Sequence, residues 1–149
     1  MAVRPILVIP DQRLRSVADP IAEVDEEIRI LAKDMLDTMY DVAGEGEKPD
    51  PMVLINPEIT RFGEEVQVTE EGCLSIPELY YEVERPSAVT VKYTDLDGKE
   101  VVKDADGKLA VCIQHELDHL DGVLYVDYLS RLKRDRVLKK FEKAARRAG

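Results

Sequence analysis

Lys108-Leu-Ala-Val-Cys-Ile-Gln-His-Glu-Leu-Asp-His-Leu120, followed by Asp121-Gly122, is the stretch on which the reading of the whole chain turns. Its apolar spacing predicts a helix from Lys108 to about Leu120, with Leu109, Cys112, Ile113, Glu116 and Leu120 available for an inner face and Gly122 as the stop. His115 and His119 stand four apart, so on a helix both imidazoles project from one face and can share one metal ion, with Glu116 beside them. A His-Glu-x-x-His pattern can arise by chance in a Glu-rich helix. Here the chain's only two histidines both fall in it.

Beyond the helix, Ser130 is a suitable N-cap for a final amphipathic helix with apolar residues Leu132, Val137, Leu138 and Phe141. Residues 131–149 carry nine Lys and Arg against Asp135 and Glu142, while the chain as a whole has a net charge of -10. The body is therefore acidic and the tail basic. The tail reads first as a solvated helix face and second as a contact for an anionic partner such as RNA; an acidic body argues against the whole domain being a nucleic-acid binder.

Toward the N-terminus, short apolar or alternating runs at Met52–Ile55, Val66–Val68, Ala88–Tyr93 and Glu100–Lys103 predict strands. The turn signal Asp95-Leu-Asp-Gly98 separates the last two. Tyr80-Tyr81 reads first as packing in a loop beside a strand and second as the lining of a peptide groove. Residues 25–40 place Ile28, Leu31, Met35 and Met39 on one stripe of a core-facing helix, with acidic residues in its first turn. Asp41-Val-Ala-Gly-Glu-Gly-Glu-Lys-Pro-Asp-Pro51 reads as a loop. The expected fold class is α+β: an antiparallel, hairpin-rich sheet packed around the central histidine-bearing helix, with an N-terminal helix and a C-terminal amphipathic helix, all in one domain over 1–149. The apolar run near Met1 is too short for a signal peptide and none is long enough to span a bilayer, so a soluble, cytoplasmic protein with no membrane contact is expected. In such a compartment Cys73 and Cys112 are free thiols.

A catalytic metal site has three protein ligands and an open position, and the third ligand here cannot be histidine. The place where a metzincin carries its third His is Tyr125, which excludes that family. Asp127, Asp135 and Glu142 are carboxylate candidates, the last two on the basic tail. Cys112 is seven positions from His119, roughly 10 Å along a helix, whereas a metal–thiolate bond spans about 2.3 Å. Cys112 is thus expected to be a small buried packing residue. Cys73, in Glu70-Glu-Gly-Cys-Leu-Ser-Ile-Pro77, stands between a permissive Gly72 and a stiffening Pro77 and becomes the preferred ligand.

Glu71-Gly-Cys-Leu-Ser75 and Gln114-His-Glu-Leu-Asp-His119 together resemble the Cys-bearing and metal-helix motifs of the peptide deformylases. The similarity extends to Pro10-Asp-Gln-Arg-Leu-Arg15, Val53-Leu-Ile-Asn-Pro-Glu58 and Asp118-His-Leu-Asp-Gly122. The resemblance implies that Cys73, His115 and His119 hold iron(II), replaceable by zinc, nickel or cobalt. It also implies that Glu116 moves the proton, that the backbone N–H of Leu74 donates to the substrate oxygen, and that the substrate is an N-formylmethionyl nascent peptide. It favours Glu71 as a group orienting a neighbour of the metal over a plain surface carboxylate. A monomer is expected, with the basic C-terminal helix available for ribosome contact.

The same family carries a third motif, a Gly-rich turn with paired alanines ending in a glutamine that helps hold the substrate oxygen. After Met39-Tyr40 this sequence passes directly to Asp41-Val-Ala-Gly-Glu-Gly-Glu-Lys48, without it. Either the intact molecule has further residues at Tyr40/Asp41 and is an ordinary enzyme, or the deletion is real and removes an oxyanion donor, a loss of about 10² to 10³ in kcat elsewhere. A metal-binding relative with little or no activity, perched on the ribosome through its basic helix, is the second reading.

Overall fold

The computed structural model describes residues 4–43 and 52–148. Helix α1 (Glu26–Ala43) is followed by strands β1 (Ile55–Phe62), β2 (Val66–Cys73), β3 (Ile76–Pro86), β4 (Ala88–Thr94) and β5 (Glu100–Asp106), then α2 (Gly107–Leu120) and α3 (Arg131–Ala148). Short 3-10 turns lie at Gln12–Arg15 and Tyr125–Tyr128. All described strand pairings are antiparallel: one sheet runs β1-β4-β5 and a second is the β2-β3 hairpin. The α+β expectation is met.

Each hairpin forms for a local reason. Between β4 and β5, Asp95 Oδ1 accepts from the N–H groups of Asp97 and Lys99, both at 2.9 Å, and Gly98 takes the positive φ of 80° that closes the turn. Between β2 and β3 only Leu74 and Ser75 intervene, Cys73 facing Ile76 across the turn. Ile9 N–H donates to Ser75 O at 3.0 Å, so the N-terminal segment holds this turn in place.

Two apolar clusters flank α2. Val89, Val91 and Ala105 of the three-stranded sheet meet Ala110 and Ile113 of the helix. Ile76 and Val83 of β3 pack with Leu124, Tyr125, Val126 and the α3 residues Val137 and Phe141. Burial on two sides leaves α2 a narrow free face, and it differs from the one expected. Leu109, Cys112, Glu116 and Leu120 are exposed, whereas Ala110, Val111, Ile113, Gln114 and His115 are buried. At the end of α2, Gly122 has φ 75°, and a Cβ there would run into the backbone of Arg15, whose guanidinium donates to Gly122 O at 3.2 Å and pairs with Asp127.

Other expectations need correction. β1 starts only at Ile55, β2 runs on to Cys73, and β3 was not anticipated, so Tyr80 and Tyr81 lie in a strand rather than a loop. Met35 is 61% exposed, because Arg4 binds the buried Asp34 at 2.8 Å and its N–H donates to Thr38 Oγ1, turning that face of α1 inward. The side chain of Met39 lies outside the described residues. Leu132 is 65% exposed: five positions before Val137, it sits about 140° around the helix from the buried stripe. Ser130 does cap α3, its Oγ accepting from Lys133 N–H at 3.3 Å. Helix α1 continues through Tyr40 and Asp41 to Ala43, so the first three residues of the expected loop are helical; residues 44–51 lie outside the described residues. Among the described residues no helix is long and apolar enough to cross a membrane.

Candidate metal centre

Two periodicities bring the site together. Residues two apart on a strand share a face and are about 6.6 Å apart, and residues four apart on a helix share a face about 6 Å apart. Glu71 and Cys73 on β2 therefore match His115 and His119 on α2 in step. Glu71 Oε1 is 2.9 Å from His115 Nδ1, and Cys73 Sγ is 3.5 Å from His119 Nε2. Cys73 is the residue just before the tight β2-β3 turn, so its sulfur is held at the sheet's end rather than on a free loop.

The three groups converge at one point. His119 Nε2 lies 3.2 Å from His115 Nε2, and the ligand atoms of Cys73, His115 and His119 all lie within 4.8 Å of one another. Tetrahedral bonds of about 2.05 Å to nitrogen and about 2.3 Å to sulfur put two nitrogens about 3.4 Å apart and sulfur about 3.6 Å from nitrogen. The arrangement fits a single divalent ion. His115 Nδ1–H donates to the Glu71 carboxylate, which leaves Nε2 as the atom turned to the centre.

The close approach of these groups shifts their ionisation. Burial by itself pushes the Cys73 thiol up, but hydrogen bonds with His115 and His119 outweigh it and bring the thiol down to about 6. Burial pushes His115 down, yet its bonds to Cys73 and Glu71 prevail and raise it to about 9. The two shifts support one another, each group favouring the charged form of the other. Glu71, although desolvated, is held below the usual carboxylate range by His115 and Arg85.

Arg85 is the participant that sequence reasoning missed. Its side chain is 4% exposed, as is that of Glu71, and its Nε and Nη2 donate to Glu71 Oε2 and Oε1 at 2.6 and 3.0 Å. Its Nη1 donates to Asp118 Oδ2 at 2.8 Å. No motif marks an Arg 14 residues from its partner: in the β2-β3 register Glu71 faces Tyr81 and Arg85 faces Gln67, and the pair is made by two long side chains reaching along the same face of the hairpin.

Glu116, Leu74 and Cys112 line a groove of about 860 Å³ that opens on the centre, with Ile6 and Leu7 also on its walls. Glu116 is exposed on the groove face of α2, next to both histidines. Leu74 is the first turn residue after Cys73. Cys112 is an exposed free thiol instead of a buried packing residue, because α2 buries the stripes on either side of it. Tyr125 does not join the ligand atoms: it is buried, stacks on the His115 ring at 6.0 Å, and donates its hydroxyl to Leu79 O at 3.0 Å. Asp127 is engaged with Arg15 and with Leu124 N–H, which takes it out of the ligand set.

Comparison with known proteins agrees with this geometry. The model of the polypeptide deformylase family matches residues 3–46 and 41–135. A peptide deformylase of Bradyrhizobium diazoefficiens is 55% identical over 173 positions, covering 99% of each chain, and one of Rhizobium meliloti is 48% identical over 100% of this chain and 98% of its own. The crystal structure of the Ehrlichia chaffeensis peptide deformylase in complex with actinonin superposes with a TM-score of 0.90 at 34% identity, covering 97% of this chain and 98% of that one. The family match breaks in two around residues 41–46, and the 173-position alignment exceeds the 149 residues of this chain. The relatives thus have positions that this chain lacks. The rest aligns end to end, and the chain belongs to the peptide deformylase family.

Proposed function

We propose that this chain is a metal-dependent peptide deformylase that hydrolyses the N-formyl group from the N-terminal methionine of nascent polypeptides and releases formate. The observation that carries this reading is the meeting of Cys73, His115 and His119 at ion-binding spacing, with Glu116 on the wall of the groove of about 860 Å³ that opens on them. Cys73, His115 and His119 would hold the ion; iron(II) is the proposed occupant, with zinc, nickel or cobalt as substitutes, in keeping with a mixed thiolate and imidazole set. When bound, a divalent ion there supplies Lewis acidity that makes water a competent nucleophile at neutral pH and polarises the formyl carbonyl.

The chain's own residues do the remainder. Glu116 accepts a proton from the attacking water and passes it to the leaving amine as the C–N bond breaks. Leu74 N–H, at the turn beside the ligand thiolate, is the proposed donor to the oxygen that gains charge as the formyl carbon becomes tetrahedral. Glu71 keeps His115 in the tautomer that presents Nε2. Ile6, Leu7, Leu14 and Leu74 give the groove an apolar part against which the methionine side chain would rest.

Formate release from a formyl-Met peptide tests this function. Activity is expected to vanish on chelation and to return with one equivalent of Fe²⁺ or Co²⁺. One bound equivalent with no formate would overturn it in favour of a silent metal-binding relative, which the full-length likeness to named deformylases does not favour.

Metal affinity is expected to depend on pH in a defined direction. The ion competes with the proton on His115, which is held up to about 9. Affinity should therefore climb about tenfold per pH unit toward pH 9 and level off above it. It should fall more steeply below about 6, where Cys73 is protonated too. Chelator-competition titrations from pH 5.5 to 9.5 read this out, and a flat profile would show that His115 is not a ligand. We further propose a cytoplasmic monomer, a single domain over 1–149, and contact of α3 with the ribosome, supported by the basic residues on that helix.

A further inference from the structure

We infer that Arg85 is a positioning residue for the metal centre, holding Glu71 so that Glu71 can hold His115, with Asp118 anchoring the same guanidinium to the metal-bearing helix. The inference rests on the metal centre proposed above. One planar fork spends three donors on two carboxylates that come from different elements: Glu71 on β2, the strand that ends in Cys73, and Asp118 on α2, three residues after His115. Arg85 thereby ties the strand bearing the thiolate to the helix bearing both imidazoles. The 3.5 Å separation of Cys73 Sγ and His119 Nε2 depends on that spacing.

Glu71 Oε1 is the shared atom, accepting from Arg85 Nη2 at 3.0 Å and lying 2.9 Å from His115 Nδ1. A buried carboxylate that loses its bidentate partner turns toward whatever solvent or donor it can reach, and the His115 ring loses its stop. Lysine keeps the charge of arginine but concentrates its three donors on one compact ammonium, and so loses the planar fork that bonds Glu71 bidentately while reaching Asp118. The outer side of the clamp is also fixed. Tyr128 donates its hydroxyl to Asp118 Oδ2 at 2.7 Å, and the Arg85 guanidinium lies 4.7 Å from the Tyr128 ring centroid.

The test is Co²⁺ affinity by chelator competition, with the visible spectrum of the Co²⁺ protein as a geometric readout, for the parent, Arg85→Lys, Glu71→Gln and the double variant. Val137→Ala, a change in the cluster beneath α3, serves as a destabilised control. Arg85→Lys is expected to weaken Co²⁺ binding about 10- to 100-fold and shift the spectrum, while Val137→Ala does neither. The double variant should bind no more weakly than the weaker single variant, since both act through one path. Asp118→Asn, which leaves the Glu71 pair intact, should show a smaller loss in the same direction and stands in if Arg85→Lys does not fold. The inference is overturned if Arg85→Lys or Asp118→Asn binds Co²⁺ like the parent with an unchanged spectrum, if the losses multiply in the double variant, or if Val137→Ala weakens binding equally. A parent that takes up no Co²⁺ would instead overturn the metal centre, and the inference with it.

Discussion

Glu116→Ala is expected to retain one equivalent of metal while formate release falls by about 10² to 10⁴, the range that a positioned acid-base group contributes. The two halves of this result follow from where Glu116 stands. The ligand atoms come from Cys73, His115 and His119, and Glu116 is absent from that group. Its carboxylate lies on the exposed, groove-facing side of α2, so removing it leaves no buried partner stranded and disturbs no described contact between elements. The lost function is proton transfer, and the decrease should appear in kcat. Glu116→Gln separates the proton from the shape of the side chain: it fills the same space, cannot take a proton, and should be as slow as alanine. A glutamine variant with near-parent kcat, metal bound, would remove Glu116 from the proton path.

The residues readable from sequence were those whose chemistry is local. His115 and His119 define their geometry by helical spacing alone, and Gly122 and the Asp95–Gly98 turn announce themselves by backbone need. Cys73 was reachable by elimination, since Cys112 on the same helix could not meet His119. Strand β3 escaped because Pro77, Glu82, Glu84 and Pro86 interrupt its apolar pattern, and because one face of the β2-β3 ribbon is open to solvent, with Val68 and Tyr80 exposed on it. Arg85 escaped with it, as its partners are 14 and 33 residues away and no periodicity relates them. The outward orientation of Cys112 is hidden in the sequence for a related reason. A helix packed on two sides has two buried stripes, and its single-period pattern does not tell which narrow face is left for the groove.

The largest gain expected from any change is at the Tyr40/Asp41 junction. The proposed metal ligands, the proposed proton carrier Glu116 and Leu74 all come from the segment from β2 to α2, so the ligand group forms without the Gly-rich, glutamine-bearing motif. That motif contributes in the family a wall of the substrate groove and a side-chain amide toward the substrate oxygen. Leu74 N–H would then be left as the main protein donor to the developing oxyanion, and loss of one such donor costs about 10² to 10³ in kcat. Inserting the family's Gly-rich turn, glutamine and following strand between Tyr40 and Asp41 is accordingly expected to raise kcat by about 10² to 10³. Metal affinity should stay unchanged, because Cys73, His115 and His119 already converge without the inserted motif. The restored wall should lower KM as well, and the two effects can be pulled apart: the same insertion with alanine in place of its glutamine rebuilds the wall without the amide, and should improve KM while leaving most of the kcat deficit. An insertion that changes neither parameter would mean that the chain as it stands already stabilises the oxyanion fully, through Leu74 and the metal alone.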